Sequence, residues 1–416
     1  MVTVIGLGFV GLTTALGLSE YGHQVYGIDI DKSRSGLIAA GQLPFSEPDL
    51  QAVLSRHLDK NFAVTDSWEE AVSNSEAIFY CVGTPYGENS QADLTSLFSA
   101  IDRTITAIHD DRFRAFVIKS TVPPSTAKDL VLPHIAENYP THSACIGVAN
   151  NPEFLREGHC WEDFIHADRI VIGTNDAQSE RILEKLYQPS GIPIRHVSLN
   201  TAEFIKYLSN TSLACLISFA NEMSLAADAI GDVDIADAFH IVHMDKRWQT
   251  GSIRSYLYPG CGYGGYCLPK DTNAFYALAK SKGIECGILK NVIDTNDAMP
   301  TTTAQRIADA APDQNTVVGI LGLSFNPGSD DVRDTPAAKI IRELNLRGYQ
   351  NIIAYDPIAV EPFRRSYPLL SCRYANSYSQ LCDQADVFAL VTAWDCFKDI
   401  QRRSDKPVID CRYMLF

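Results

Sequence analysis

Within its first thirty residues the chain commits to one kind of fold. Residues 2–5, Val-Thr-Val-Ile, are a short apolar run that breaks into Gly6-Leu7-Gly8-Phe9-Val10-Gly11, and a helical stretch beginning Leu12-Thr-Thr-Ala-Leu follows. A second apolar run, Gln24-Val-Tyr-Gly-Ile, ends in Asp29. A Gly-x-Gly-x-x-Gly turn placed between a strand and a helix, with an acid closing the next strand, is a βαβ unit built for a dinucleotide. The glycines let a pyrophosphate approach the helix N-terminus. An acid at position 29 accepts hydrogen bonds from a ribose hydroxyl and repels a 2′-phosphate, which favours NAD over NADP.

Strand-like runs continue at 77–82, 115–118, 144–148 and 169–173, with helical segments between them, so an α/β domain extends to about residue 195. Ligands bind beyond the C-terminal ends of strands in open parallel sheets. Thr84, Thr121 and Glu153 all follow such ends. From residue 200 the pattern becomes one long helix, with Asn200-x-x-Glu203 read as a capping box and Gly231 as its stop. Lys206 and Asn210 are one turn apart on that helix, hence on one face. A helical segment is expected through about residue 298, and a second α/β alternation starts at residue 316, with strands near 351–356, 386–391 and 407–410 and a helix over 335–347. Its first turn, Gly322 to Gly328, lacks the dinucleotide glycine pattern. Periodicity thus divides the chain into 1–198, 199–299 and 300–416.

The second constraint is chemical. In Gly260-Cys-Gly-Tyr-Gly-Gly-Tyr-Cys267-Leu-Pro-Lys-Asp271, four glycines precede a cysteine, and an aspartate follows it by four residues. Pro269 suits the first turn of a helix. A cysteine at that helix's N-terminus is favoured as thiolate, and Asp271 falls on the same face. Alternatively, Asp271 caps a helix starting at Thr272.

Composition narrows the partners. A net charge of −15 argues against nucleic acid or an acidic membrane surface, and no apolar run reaches the about 18 residues of a membrane span. Eleven cysteines without paired spacing suggest neither a disulfide framework nor a metal centre. With no basic leader before the first strand, the chain reads as cytoplasmic, acting on a small molecule.

Taken in order, seven motifs resemble the nucleotide-sugar dehydrogenase family over nearly the whole chain. They are the Gly6–Gly11 turn, Gly83-Thr84-Pro85, Ser120-Thr121-Val122-Pro123, Asn151-Pro-Glu153-Phe154-Leu155-Arg-Glu157-Gly158, Lys206-x₃-Asn210, the Cys267 loop, and Asp330-Asp-Val-Arg333. The resemblance implies two doubly wound Rossmann-like domains, the first for NAD and the last for UDP-sugar, joined by a central helical region that forms a homodimer. It implies a four-electron oxidation of the sugar C6 alcohol to a carboxylate, through a thiohemiacetal and a thioester on Cys267. Lys206 and Asn210 would stabilise the oxyanion. Thr121, Glu157 and Asp271 would hold and activate water, with Glu153 a further acid–base candidate. Phe9, Val10, Thr84, Thr121, Glu157 and Arg333 join the glycines and Asp29 as cofactor residues. Glu153, Phe154, Leu155, Lys206, Asn210, Tyr256, Gly264, Phe325 and Asn326 would line the substrate. Either Arg247 or Arg254 would reach the neighbouring subunit's sugar.

The chain departs from the family's commonest pattern at Asn326, where many relatives carry a lysine, and in the length of the segment before Cys267. Tyr266 stands where acetamido-sugar enzymes usually have histidine, so the loop looks closest to the UDP-glucose branch. Other readings are the same chemistry on GDP-mannose or a UDP-N-acetyl-hexosamine, a two-electron 3-hydroxyacid dehydrogenase, and an inactive NAD-sensing scaffold. The 3-hydroxyacid reading leaves Cys267 and the last α/β domain without a task.

Overall fold

The computed structural model describes residues 1–415 except 86, 88, 89, 246–258 and 282–285. The chain divides into two compact units, residues 1–208 and 209–416.

The first unit is an eight-stranded sheet. Its strands are Val2–Ile5 (β1), Val25–Ile28 (β2), Phe62–Val64 (β3), Ala77–Tyr80 (β4), Arg114–Ile118 (β5), Ile146–Asn150 (β6), Ile170–Thr174 (β7) and Ile194–Val197 (β8). The order is β3-β2-β1-β4-β5-β6-β7-β8, with the topological switch between β1 and β4. Burial on both faces explains the continuous apolar runs. Alternate side chains feed two cores: Val2, Val4, Phe79 and Val117 pack into one, and Ile5, Ile78, Phe116 and Ile118 into the other. All pairings are parallel except β6 with β7, where Ala149 faces Thr174 and Asn150 faces Gly173.

The second unit holds a five-stranded parallel sheet of Val318–Leu321 (β9), Ile352–Tyr355 (β10), Arg373–Tyr374 (β11), Val387–Leu390 (β12) and Val408–Asp410 (β13), ordered β11-β10-β9-β12-β13. The two sheets share one device. In each, a glycine with positive φ follows the first strand, Gly6 at 89° and Gly322 at 96°. The next backbone N–H donates to an aspartate at the end of the second strand: Leu7 to Asp29 at 2.7 Å, and Leu323 to Asp356 at 2.8 Å.

The helices that carry the chemistry are Phe9–Glu20 (α1), Leu199–Ile230 (α2), Ile235–Met244 (α3), Cys267–Ser281 (α4) and Gly287–Ala310 (α5). Two expectations about them fail. The helical segment expected to end near 298 continues to Ala310 with Pro300 inside it, because Pro300 and its neighbours Met299, Thr303 and Ala304 are buried and packing outweighs the lost hydrogen bond. The capping box at Asn200 is also absent. Ser198 caps α2 by accepting from the Thr201 N–H at 3.2 Å, while Glu203 turns inward to accept from the Ser125 and Ala127 N–H groups and from Asn150. Gly231 does end the helix, at φ 76°. No helix among the described residues is long and apolar enough to cross a membrane.

Candidate active site

In the first unit the glycine turn is shaped by close approaches. A Cβ on Gly11 would stand 1.7 Å from the Gly6 carbonyl oxygen, and one on Gly6 would stand 2.6 Å from that of Cys81. Gly8 instead has no atom within 4 Å of where its Cβ would be. Gly8 also immediately precedes α1, whose N-terminus takes no side-chain cap and has no acid in its first turn. Beyond it Phe9 stacks on Phe45 with ring centroids 4.0 Å apart, and Val10 accepts the Thr14 hydroxyl on its carbonyl. An open glycine at an uncapped helix N-terminus fits a pyrophosphate. Asp29 is buried and accepts from Leu7, Asp31 and Arg34. It therefore braces the turn from the end of the second strand. These residues fit a bound NAD.

The ends of β4 and β5 are tied together, since the buried Thr84 hydroxyl donates to the Thr121 carbonyl at 2.7 Å. Past β6, Glu153 folds back so that one oxygen accepts from the Leu155 N–H at 2.6 Å and the other meets the Lys206 ammonium at 2.7 Å. Both side chains are buried. Burial pushes the Glu153 carboxyl up, but the Lys206 charge and hydrogen bond outweigh it and hold the group below the usual carboxylate range. Phe154 lies against this pair, with Arg169 4.3 Å and Lys206 5.8 Å from its ring centre. Leu155 packs on the β-sheet core. Glu157 is half-buried, in a loop pinned by the buried Glu47 carboxylate, which accepts from the Gly158 and Cys160 N–H groups.

In the second unit α4 starts at Cys267, a half-buried thiol, with Pro269 in the first turn. Asp271 lies inside α4, so it does not cap a helix beginning at Thr272. It is fully buried and held by two donors. Lys270 Nζ lies 2.5 Å from one oxygen and Asn210 Nδ2 2.5 Å from the other.

The loop before Cys267 is packed against its own chain. The Gly265 N–H donates to the Arg333 carbonyl at 3.0 Å. The Arg333 guanidinium pairs with Asp331 and lies 4.6 Å from the Tyr266 ring centre. A Cβ on Gly264 would meet the Asp334 carbonyl at 2.5 Å, and one on Gly265 would meet the Phe325 ring at 2.9 Å. Space at these glycines is thus filled by Asp334, Pro336 and Phe325 rather than left open. Asn326 accepts the Ser324 hydroxyl on its carbonyl at 2.9 Å. Arg247, Arg254 and Tyr256 lie outside the described residues.

Comparison with known proteins places these features. Residues 1–190 match the NAD binding domain of the UDP-glucose/GDP-mannose dehydrogenase family, 200–298 its central domain and 319–416 its UDP binding domain. The chain belongs to this family. It is 35% identical to the UDP-glucose 6-dehydrogenase of Rickettsia bellii, over 95% of this chain and 90% of that one. With the UDP-glucose 6-dehydrogenase YwqF of Bacillus subtilis the identity is 37%, covering 94% and 87%. The solved structure of a UDP-glucose dehydrogenase from Pyrobaculum islandicum matches with a TM-score of 0.92 at 37% identity, over 99% of this chain and 94% of that one.

The family's central-domain match contains Lys206, Asn210, Cys267 and Asp271, and its NAD-domain match contains the glycine turn, Asp29 and Glu153. Two residues that shape these segments carried no motif signal of their own: Glu47 and Glu203. Lys270 stood inside the Cys267 motif, but its pairing with Asp271 appears only in the structure. Glu47 was not detectable, since its partners are more than a hundred residues away in sequence.

Proposed function

We propose that the protein oxidises the C6 alcohol of UDP-glucose to the carboxylate of UDP-glucuronate in two NAD-dependent steps. The observation that carries this reading is Cys267 at the start of α4 with the buried, doubly held Asp271 one turn on, in a chain whose relatives are named UDP-glucose 6-dehydrogenases.

NAD, bound afresh for each oxidation, would supply the acceptor for one hydride at a time. The residues do the rest. A carboxylate or a water held near Thr121, Glu153 or Glu157 takes the C6 hydroxyl proton in the first oxidation. The aldehyde has no C–O–H to ionise until something adds to it, and the Cys267 thiolate adds, forming a C–S bond and an alkoxide. The helix N-terminus favours that thiolate. The Lys206 ammonium and the Asn210 amide, one turn apart on α2, stabilise the alkoxide. Loss of the second hydride leaves a thioester. Asp271, positioned by Lys270 and Asn210, takes a proton from water as it attacks, and the C–S bond breaks to return the thiolate and release the acid.

A stripe of exposed apolar side chains on α2, Phe204, Leu208 and Phe219, with Ile241, Val242 and Met244 on α3, supports assembly as a homodimer. The protein acts as a cytoplasmic enzyme in this reading. To test the substrate, NADH formation is followed with UDP-glucose, GDP-mannose and UDP-N-acetylglucosamine in parallel. UDP-glucose alone should be oxidised at an appreciable rate, and turnover confined to another sugar would overturn the assignment.

A further inference from the structure

Three segments that carry the proposed chemistry of the first unit meet on one carboxylate. Glu203 stands near the N-terminus of α2, three residues before Lys206, and is buried. One of its oxygens accepts from the Ser125 N–H at 2.7 Å. The other accepts from the Ala127 N–H at 2.8 Å and from Asn150 Nδ2 at 3.0 Å. Ser125 has a positive φ of 79° and precedes the short helix Thr126–Val131, so both N–H donors come from the turn that follows Thr121. Asn150 is the last residue of β6, three positions before Glu153. Asn200, also on α2, adds a bond from its amide to the Ser125 hydroxyl at 3.0 Å.

The turn is held from its other end as well. The Ser120 hydroxyl donates to the Val82 carbonyl at 2.7 Å, and the Thr121 carbonyl accepts from Thr84. The sheet thus fixes the turn and β6, and Glu203 ties α2 to both. Residues three apart on a helix share a face. Whatever sets Glu203 therefore sets Lys206, whose ammonium lies 2.7 Å from the Glu153 carboxylate. A carboxylate is costly here, since burial pushes the Glu203 carboxyl up to about 7, against the pull of the Ala127, Ser125 and Thr126 N–H groups and with a push from Asp129. An apolar residue would fill the space without that cost, but it would leave three donors empty and the helix untied.

We propose that Glu203 is a positioning residue that docks α2 onto the turn after Thr121 and onto the end of β6, and so holds the Lys206 ammonium at the Glu153 carboxylate. The idea rests on the role given to Lys206 above. Glu203 acts through the helix backbone, and a misplacement of about 1 Å in a group that stabilises charge costs on the order of 10²-fold in rate.

The test compares full-length Glu203→Ala and Glu203→Gln with wild type, each kcat being expressed per folded site counted by NAD titration. With UDP-glucose, Glu203→Ala should lower kcat on the order of 10–100-fold and change KM less than about threefold. Glu203→Gln keeps one oxygen for Ala127 and Asn150, and its kcat should fall between the other two. A second readout does not depend on turnover. In competitive acetylation read by mass spectrometry, Lys206 should label several-fold faster in Glu203→Ala than in wild type, because it leaves its carboxylate more often. Lys270, also buried but in the second unit, should label at the wild-type rate, whereas a general loss of stability would expose both lysines. If Glu203→Ala yields no folded protein, Glu203→Gln carries the same two readouts. Wild-type kcat per folded site in the variants, or Lys206 labelling that rises only together with that of Lys270, would overturn the proposal. An inactive wild type would instead remove the substrate reading, and the labelling result would still decide whether Glu203 positions Lys206.

Discussion

At the scale of single residues, the chemistry depends on charges kept where water would normally be needed to support them. Asp271 is fully buried yet touches a lysine and an amide donor, so both of its oxygens are satisfied away from water. Asp271→Asn keeps the shape and removes the base. It should lower uronate formation on the order of 10²–10⁴-fold while leaving NAD affinity, measured by fluorescence titration, within a few-fold of wild type; unchanged kcat would exclude Asp271 from the proton transfers. Cys267, Asp271, Lys206 and Asn210 were legible in the sequence because each sits in a motif whose spacing has a helical meaning. The role of Glu203 was not. Its partners, Asn150 and the Ser125–Ala127 backbone, lie 53 and more than 70 residues away, and only the fold brings them together. Glu203 shows how a local rule can mislead: its position three residues after Asn200 suits a capping box, but the buried amide and N–H donors around it compete better than its own helix terminus.

At the scale of elements, the βαβ start and ten of the thirteen strands among the described residues could be read from apolar runs bounded by turn residues, while the short edge strands β3, β8 and β11 could not. The antiparallel pairing of β6 with β7 could not, because a continuous apolar run carries no direction. The Cys267 loop shows a similar limit. Its glycines signal close approach, but the sequence does not say to what, and the structure answers with the 325–336 segment of the same unit. Gly264→Ala should therefore perturb this loop through a backbone clash with Asp334. We expect a loss of about 1–3 kcal/mol in chemical denaturation and a fall in kcat. A variant as stable and active as wild type would mean that the loop packs elsewhere when the enzyme works.

At the scale of the whole molecule, a chain with net charge −15 exposes an apolar stripe on α2 that a second copy would cover. Replacing Phe204 and Leu208 together by aspartate should shift the mass measured by light scattering from twice that of the chain to that of the single chain. An unchanged mass would place the interface elsewhere. The central claim is that one protein removes two hydrides from one carbon, with a cysteine adduct making the second removal possible. Its most direct measurement is the ratio of NADH formed to UDP-glucose consumed in a reaction run to completion. The account predicts two, with UDP-glucuronate as the product, and a ratio of one with the aldehyde released would contradict it.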